Sequence, residues 1–248
     1  MTSPADGGST FPGGTSVSIL DVYDDAAPDG VRGGSPHVHL VSSECYVVVS
    51  GRGALQTLDR RGYRETPLTA GSVVWFTPGT IHRAVNEDGL RVVVIMSNAG
   101  LPEAGDAVMT FPASILAEAA AYRAAATLAD RDPAAADPLA ARAASARRRR
   151  DLAVAGFTSL RRAVETGGPS ALDTFYDAAT ALVRARAAAW PDIVRARPLR
   201  QAEASLLQAQ AVAAGHAAHL REARFAVAAP PEGDRSFGMC GRLRAYDV

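Results

Sequence analysis

No lysine occurs in this 248-residue chain; all 26 basic residues are arginine. That removes Schiff-base chemistry on a lysine amine from the options. With the heavy use of alanine, it marks a GC-rich coding bias rather than a site. Cysteine is also scarce. Cys45 and Cys240 lie far apart and form no CxxC pair, so no disulfide scaffold is indicated and a reducing cytoplasm is the expected setting. Neither sign of charge is in excess: acidic residues also number 26, so no global field draws the chain to nucleic acid or to an acidic membrane. No apolar run approaches the ~20 residues of a membrane helix. The opening MTSPADGGSTFPGGTS has neither a basic nor an apolar leader segment, so no signal peptide is expected. A soluble chain with no nucleic-acid and no membrane partner follows, long enough to bury a sizeable core.

What is there divides near residue 112. Residues 1–15 are rich in Gly, Ser, Pro and Thr and predict a flexible tail. Residues 16–112 read as short strands with Gly/Pro turns, the pattern of a β-sandwich or barrel. Candidate strands are 16–23, 37–41, 44–50 (stopped by Gly51 and Gly53), 54–58, 63–68, 73–76, 81–85 and 91–97. Asp59-Arg60-Arg61-Gly62 suits a hairpin turn, and Asn86-Glu87-Asp88-Gly89 splits the last two strands. Residues 113–248 turn helical. Ser114 is placed as the cap of a first helix through ILAEAAAYRAAATLA. A second is expected over 138–165, a third over 170–190 ended by Pro191, and a fourth from Pro198 to about 224. Two β-like stretches, 224–228 and 241–248, either join the barrel or form a small hairpin. The fold class is therefore a mainly β barrel followed by an α-helical region, α+β overall.

Three of the five histidines lie in the β region. His37 and His39 are two apart, so on a strand both point to one face. Glu44 opens the next strand after the Ser42-Ser43 turn and can face them, with Tyr46 and Val48 on its side. His82 follows the Thr77-Pro78-Gly79-Thr80 turn. Imidazole nitrogens and one carboxylate suit Fe, Mn, Ni, Zn, Co or Cu as a divalent ion.

His37-Val38-His39, then Glu44 and Gly51, resemble the first motif of the cupin superfamily. Gly71 through Pro78-Gly79-Thr80-Ile81-His82 to Asn86 resembles the second. The resemblance covers about 16–112 and leaves the helical half unrecognised. It departs at Val31 and Thr77, where the family carries glycine and proline. It implies a single jelly-roll barrel with one divalent metal ion held by His37, His39, Glu44 and His82. It also implies a homodimer and a metal-dependent enzyme acting on a small organic molecule. An oxygenase-type reaction is the expectation. The alternatives are a sugar isomerase or epimerase, with Glu44 as the catalytic base, and a non-catalytic module binding a small ligand. Tyr46, Val48 and Asn86 are placed at the substrate pocket.

Other candidates take plainer readings. Cys45 faces away from the metal by alternation. Arg83 points outward and pairs with an acid at the surface. His216 and His219 share a helix face without a third ligand nearby. The run Arg147 to Arg150 is read as a solvated helix face, since no interleaved aromatics accompany it.

Overall fold

A computed structural model describes residues 11–229 and 232–247; most of the expected N-terminal tail lies outside the described residues. Among the described residues the strands are β1 (Ser16–Val22), β2 (His37–His39), β3 (Glu44–Asp59), β4 (Gly62–Thr69), β5 (Val73–Phe76), β6 (Ile81–Met96), β7 (Ala107–Met109), β8 (Ser236–Phe237) and β9 (Gly241–Ala245). They form one sheet in the order β4-β3-β6-β1-β9-β8, with β2 bridging β6 and β7 and β5 paired to β3. The sheet curls into the jelly-roll expected from the strand pattern. Alternation along Glu44, Tyr46 and Val48 puts those side chains inside, against Leu20, Val92, Val94 and Phe76.

β3 and β6 differ from expectation. Each is continuous over 16 residues, where the sequence suggested stops at Gly51–Gly53 and at 86–89. The two pair along almost their whole length, with register shifts at Val48/Ser50 and Arg52/Gly53. Glycine is required at the crossing: Gly51 has φ +78°, and a Cβ there would lie 2.2 Å from the Gly89 carbonyl oxygen. These glycines bend a shared ladder rather than end it.

The helices are α1 (Ala113–Leu116), α2 (Ala119–Ala126), α3 (Ala140–Gly167), α4 (Ala171–Ala187), α5 (Trp190–Val194) and α6 (Arg200–Ala213). The expected first helix is broken between α1 and α2, and Ser114 sits inside α1 instead of capping it. Pro191 starts α5 at its first turn rather than ending a helix. Pro198 lies in a π-helical turn, 195–199, that joins α5 to α6. Its missing N–H and its ring distort the helix there without breaking it. α6 ends at Ala213, earlier than expected. Gln201 on α6 accepts from the Gly14 N–H and donates to the Phe11 carbonyl, both at 3.0 Å, which ties residues 11–14 to this helix.

α3 and α4 cover the outer side of the β2, β3 and β6 ends. Val38, Leu58, Ile81, Val108 and Phe111 share one apolar cluster with Phe157, Leu172, Phe175 and Val183. Thus β3 between Ala54 and Leu58 is buried on both faces: Leu55 fills the barrel and Leu58 meets the helices. After α6 the chain returns to the sheet. β9 pairs with β1 and β8 with β9, so the second C-terminal β-like stretch both forms a hairpin and extends the barrel sheet. The first, 224–228, is not a strand.

Candidate metal centre

Strand pairing assembles the cluster. β2 lies antiparallel to β6 with His37 opposite His82, and Glu44 begins β3 on the inward parity. His37, His39, Glu44 and His82 are all buried, and one ligand atom from each lies within 4.8 Å of the others. Glu44 Oε2 stands 3.0 Å from His82 Nε2 and 3.3 Å from His39 Nε2. Despite that closeness, neither Glu44 Oε2 nor His82 Nε2 has a hydrogen bond of acceptable geometry. Ligand atoms brought this close without hydrogen bonds between them are what joint ligation of one ion would require.

The other ring nitrogens explain the orientation. His37 Nδ1 donates to the Ser35 carbonyl (2.9 Å) and His82 Nδ1 to the Thr80 carbonyl (3.1 Å). His39 Nδ1 donates to Asp106 Oδ1 (2.9 Å). With each Nδ1 proton committed outward, the neutral tautomer leaves every Nε2 lone pair turned to the centre. That is the usual outer arrangement around metal-ligating histidines. The residues present therefore fit a divalent metal ion: orphaned buried donor atoms, oriented imidazoles and one carboxylate.

Electrostatics agree with the geometry. Burial pushes the Glu44 carboxyl up, but His82 and His39 outweigh it and hold Glu44 well below the usual carboxylate range. Burial lowers His39, yet the Asp106 and Glu44 carboxylates on either side prevail and raise it to about 9. His37, buried beside two other histidines, falls well below the ordinary value. Asp106 is depressed despite its burial, by His39 and by the Ser42 N–H that it accepts at 2.9 Å.

Residues 26–97, which enclose all four cluster members, match the family profile of the cupin domain. The barrel is a cupin domain. Comparison with curated proteins gives no match. Among solved structures, a cupin 2 conserved barrel domain protein from Salinispora arenicola is 20% identical, with TM-score 0.28 over 42% of this chain and 75% of that one. The Streptomyces nucleoside dehydratase Pac13 is 20% identical with TM-score 0.27. That alignment covers 34% of this chain and 58% of Pac13, so the chain spans little more than half the length of that neighbour. A capsular polysaccharide assembling protein from Staphylococcus aureus is 23% identical over 33% of this chain and 23% of that one, with TM-score 0.25.

A cavity of about 320 Å³ opens from the cluster inside the cupin barrel. His37, His39, Glu44 and Tyr46 meet it, with walls from Leu20, Val94 and Met96. Val48 and Asn86, placed at the pocket from sequence, do not line it. Val48 packs in the core below. Asn86 is spent on backbone: its Nδ2 donates to the Val22 carbonyl (2.9 Å) and its Oδ1 accepts from the Leu90 N–H (3.0 Å).

Three participants escaped sequence reasoning. Asp106 sits in a loop with no periodic signal, 67 residues from the histidine it supports. The C-terminal segment supplies Phe237, Gly238, Met239, Cys240 and Leu243 to the cavity wall. Arg149 reaches the same cavity from α3. The run at 147–150 is only half a solvated face: Arg147 and Arg148 are exposed as expected, but Arg149 and Arg150 are buried, and Arg150 pairs with Asp25 (2.8 Å) and Asp151 (3.0 Å). Arg83, likewise, does pair with an acid, Asp29, but is wholly buried, its guanidinium held by Asp29 and by the Val31 and Gly34 carbonyls of the 29–34 loop.

Proposed function

We propose that this cupin barrel is a metal-dependent enzyme acting by an oxygenase-type reaction on a small organic molecule held in the cavity. His37, His39, Glu44 and His82 would hold one divalent ion chosen from Fe, Mn, Ni, Zn, Co and Cu. Three neutral imidazoles and one carboxylate leave the site net positive. When bound, a redox-active ion of this kind would polarise a chelating substrate and supply electron transfer between it and dioxygen as the oxidant. The chain's own residues orient and shelter that substrate: Leu20, Val94 and Met96 present apolar surface to its body, and Asp106 keeps His39 in register.

One observation carries the preference for oxygenase-type over proton-transfer chemistry. The non-ligand side chains deep in the cavity are poor bases, because burial holds them neutral. Tyr46 is raised well above its ordinary value and Cys240 to about 11. The other wall carboxylate, Glu103, lies on an exposed loop. A second reading, isomerase- or epimerase-like, rests on Glu44, whose Oε2 has no hydrogen-bond partner and would act as the catalytic base. A homodimer belongs to the same proposal, supported by exposed Val49, Val73 and Trp75 on the outer sheet face. Cytoplasmic placement is supported by two unpaired cysteines. No helix among the described residues is long and apolar enough to cross a membrane.

The test is oxygen uptake by iron-loaded protein against a panel of small metabolites. Uptake that requires metal and disappears in Glu44→Gln supports the proposal. Solvent deuterium entering a substrate without oxygen uptake would replace it with the isomerase reading. Tight ligand binding with neither outcome would leave a non-catalytic binding module.

A further inference from the structure

The three buried arginines among the described residues are not treated alike. Arg83 has Asp29, and Arg150 has Asp25 and Asp151. Arg149 forms no ion pair among the described residues. It is 92% buried by its 8% exposure, and its Nη2 donates only to the Gly238 carbonyl at 2.7 Å. Its Nε is enclosed with no acceptor at all. A desolvated cation without an anion is costly, and the Gly238 carbonyl does not depend on it, since Tyr23 Oη already donates there at 3.0 Å. Arg149 also lines the cavity that His37, His39 and Glu44 of the cluster face. Cys240, two residues beyond Gly238, lies 3.8 Å from the Tyr46 hydroxyl and so links the arginine end of the wall to the cluster end.

We infer that Arg149 recognises a carboxylate on the substrate, so that the enzyme takes a small monocarboxylate with an apolar body. This rests on the cavity being the substrate site proposed above. One uncompensated guanidinium balances one negative charge, and its planar fork matches the two-oxygen edge of a carboxylate. A phosphate dianion would need a second cation, and the wall has no other arginine: beside Leu20, Val94, Met96, Phe237 and Leu243 it offers the Ser16, Ser18 and Tyr246 hydroxyls and the Glu103 carboxylate. The apolar body then lies along those side chains, with the carboxylate at Arg149 and the reacting end toward His37, His39 and Glu44.

The test uses the full chain loaded with Zn(II) and saturation-transfer NMR. The probes are phenylacetate and hexanoate, their neutral amides, and inorganic phosphate. Wild type is expected to bind both carboxylates at least about tenfold more tightly than the amides, the scale of a charge-assisted hydrogen bond. Phosphate should not displace them. Arg149→Gln retains a donor for Gly238 and should bring acid and amide to within about twofold. Arg149→Lys, which keeps the charge without the fork, should lower the preference and serves if the glutamine variant does not fold. Tyr23→Phe removes the other donor to Gly238 and should leave the preference intact. Equal binding of acids and amides by wild type, displacement by phosphate, or the same loss in Tyr23→Phe overturns the inference. Metal content measured on the same samples separates the two claims. Loaded protein without a preference overturns the role of Arg149 alone, and a chain that binds no metal yet prefers carboxylates overturns the metal reading alone.

Discussion

Replacing Asp106 by asparagine should weaken metal binding without touching a ligand. Asp106 is fully buried and accepts two hydrogen bonds, from His39 Nδ1 and from the Ser42 N–H, both at 2.9 Å. A carboxylate serves both donors; a carboxamide has one oxygen and one NH2. If the oxygen stays with His39, the NH2 faces the Ser42 N–H and leaves it unsatisfied. If it turns to Ser42, the NH2 faces His39 Nδ1, which must then become the acceptor. The imidazole proton moves to Nε2 and the lone pair aimed at the centre is lost. Either arrangement leaves one buried group poorly paired, a cost of about 1–3 kcal/mol. That corresponds to a loss of metal affinity of about 10- to 100-fold, the range for outer-shell partners of ligating histidines. Competition against a chelating dye, with circular dichroism to show a folded variant, reads it directly. Unchanged affinity in a folded Asp106→Asn protein would refute the outward-proton account of the histidines.

Further outcomes concern pH and packing. His39, raised to about 9, is protonated in metal-free protein near neutral pH, whereas a metal needs the neutral ring. Metal binding there should release a proton, seen by calorimetry in buffers of different ionisation enthalpy, and affinity should climb with pH and level off above about 9. Because the folded value is raised, His39 stabilises metal-free protein fully below the ordinary value of 6.5, and that contribution fades as pH rises through about 9. A thermal melt that is flat across this window would contradict it. Gly156→Ala, stabilising by about 1 kcal/mol on an exposed helix, should destabilise here by about 1–3 kcal/mol. The reason is that a Cβ would sit 2.0 Å from the Thr110 carbonyl oxygen. Denaturant titration gives the sign. Leu172→Ala, in the cluster shared by barrel and helices, should cost about 2–5 kcal/mol. It should shift one cooperative transition; two separated transitions would contradict a shared core.

How much of this the sequence disclosed depended on how local the cause was. Strand parity brings His37 and His39 to one face and Glu44 follows a turn that can be read from its own residues, whereas the addition of His82, about forty residues on, was legible through the resemblance to the second cupin motif. The turn at 59–62 was legible from its own residues. The unbroken β3 and β6 were not, because Gly51 is explained only by the approach of Gly89 on another strand. Pro198 looked like a helix start, yet neighbouring turns absorb its missing donor in a π-helical segment. Arg149 and Arg150 looked solvated because their burial depends on Gly238 and Asp25, 89 and 125 residues away. Asp106 and the C-terminal wall of the cavity are non-local in the same sense, fixed by β2–β7 and β1–β9 pairing.

The most direct test of the central claim is elemental analysis by mass spectrometry of wild type beside a His37→Ala/His82→Ala double variant. The convergence of four buried ligand atoms within 4.8 Å predicts about one first-row metal ion per wild-type chain and none in the variant. Wild type that stays empty after metal is added back, or a variant that holds as much metal as wild type, would contradict it.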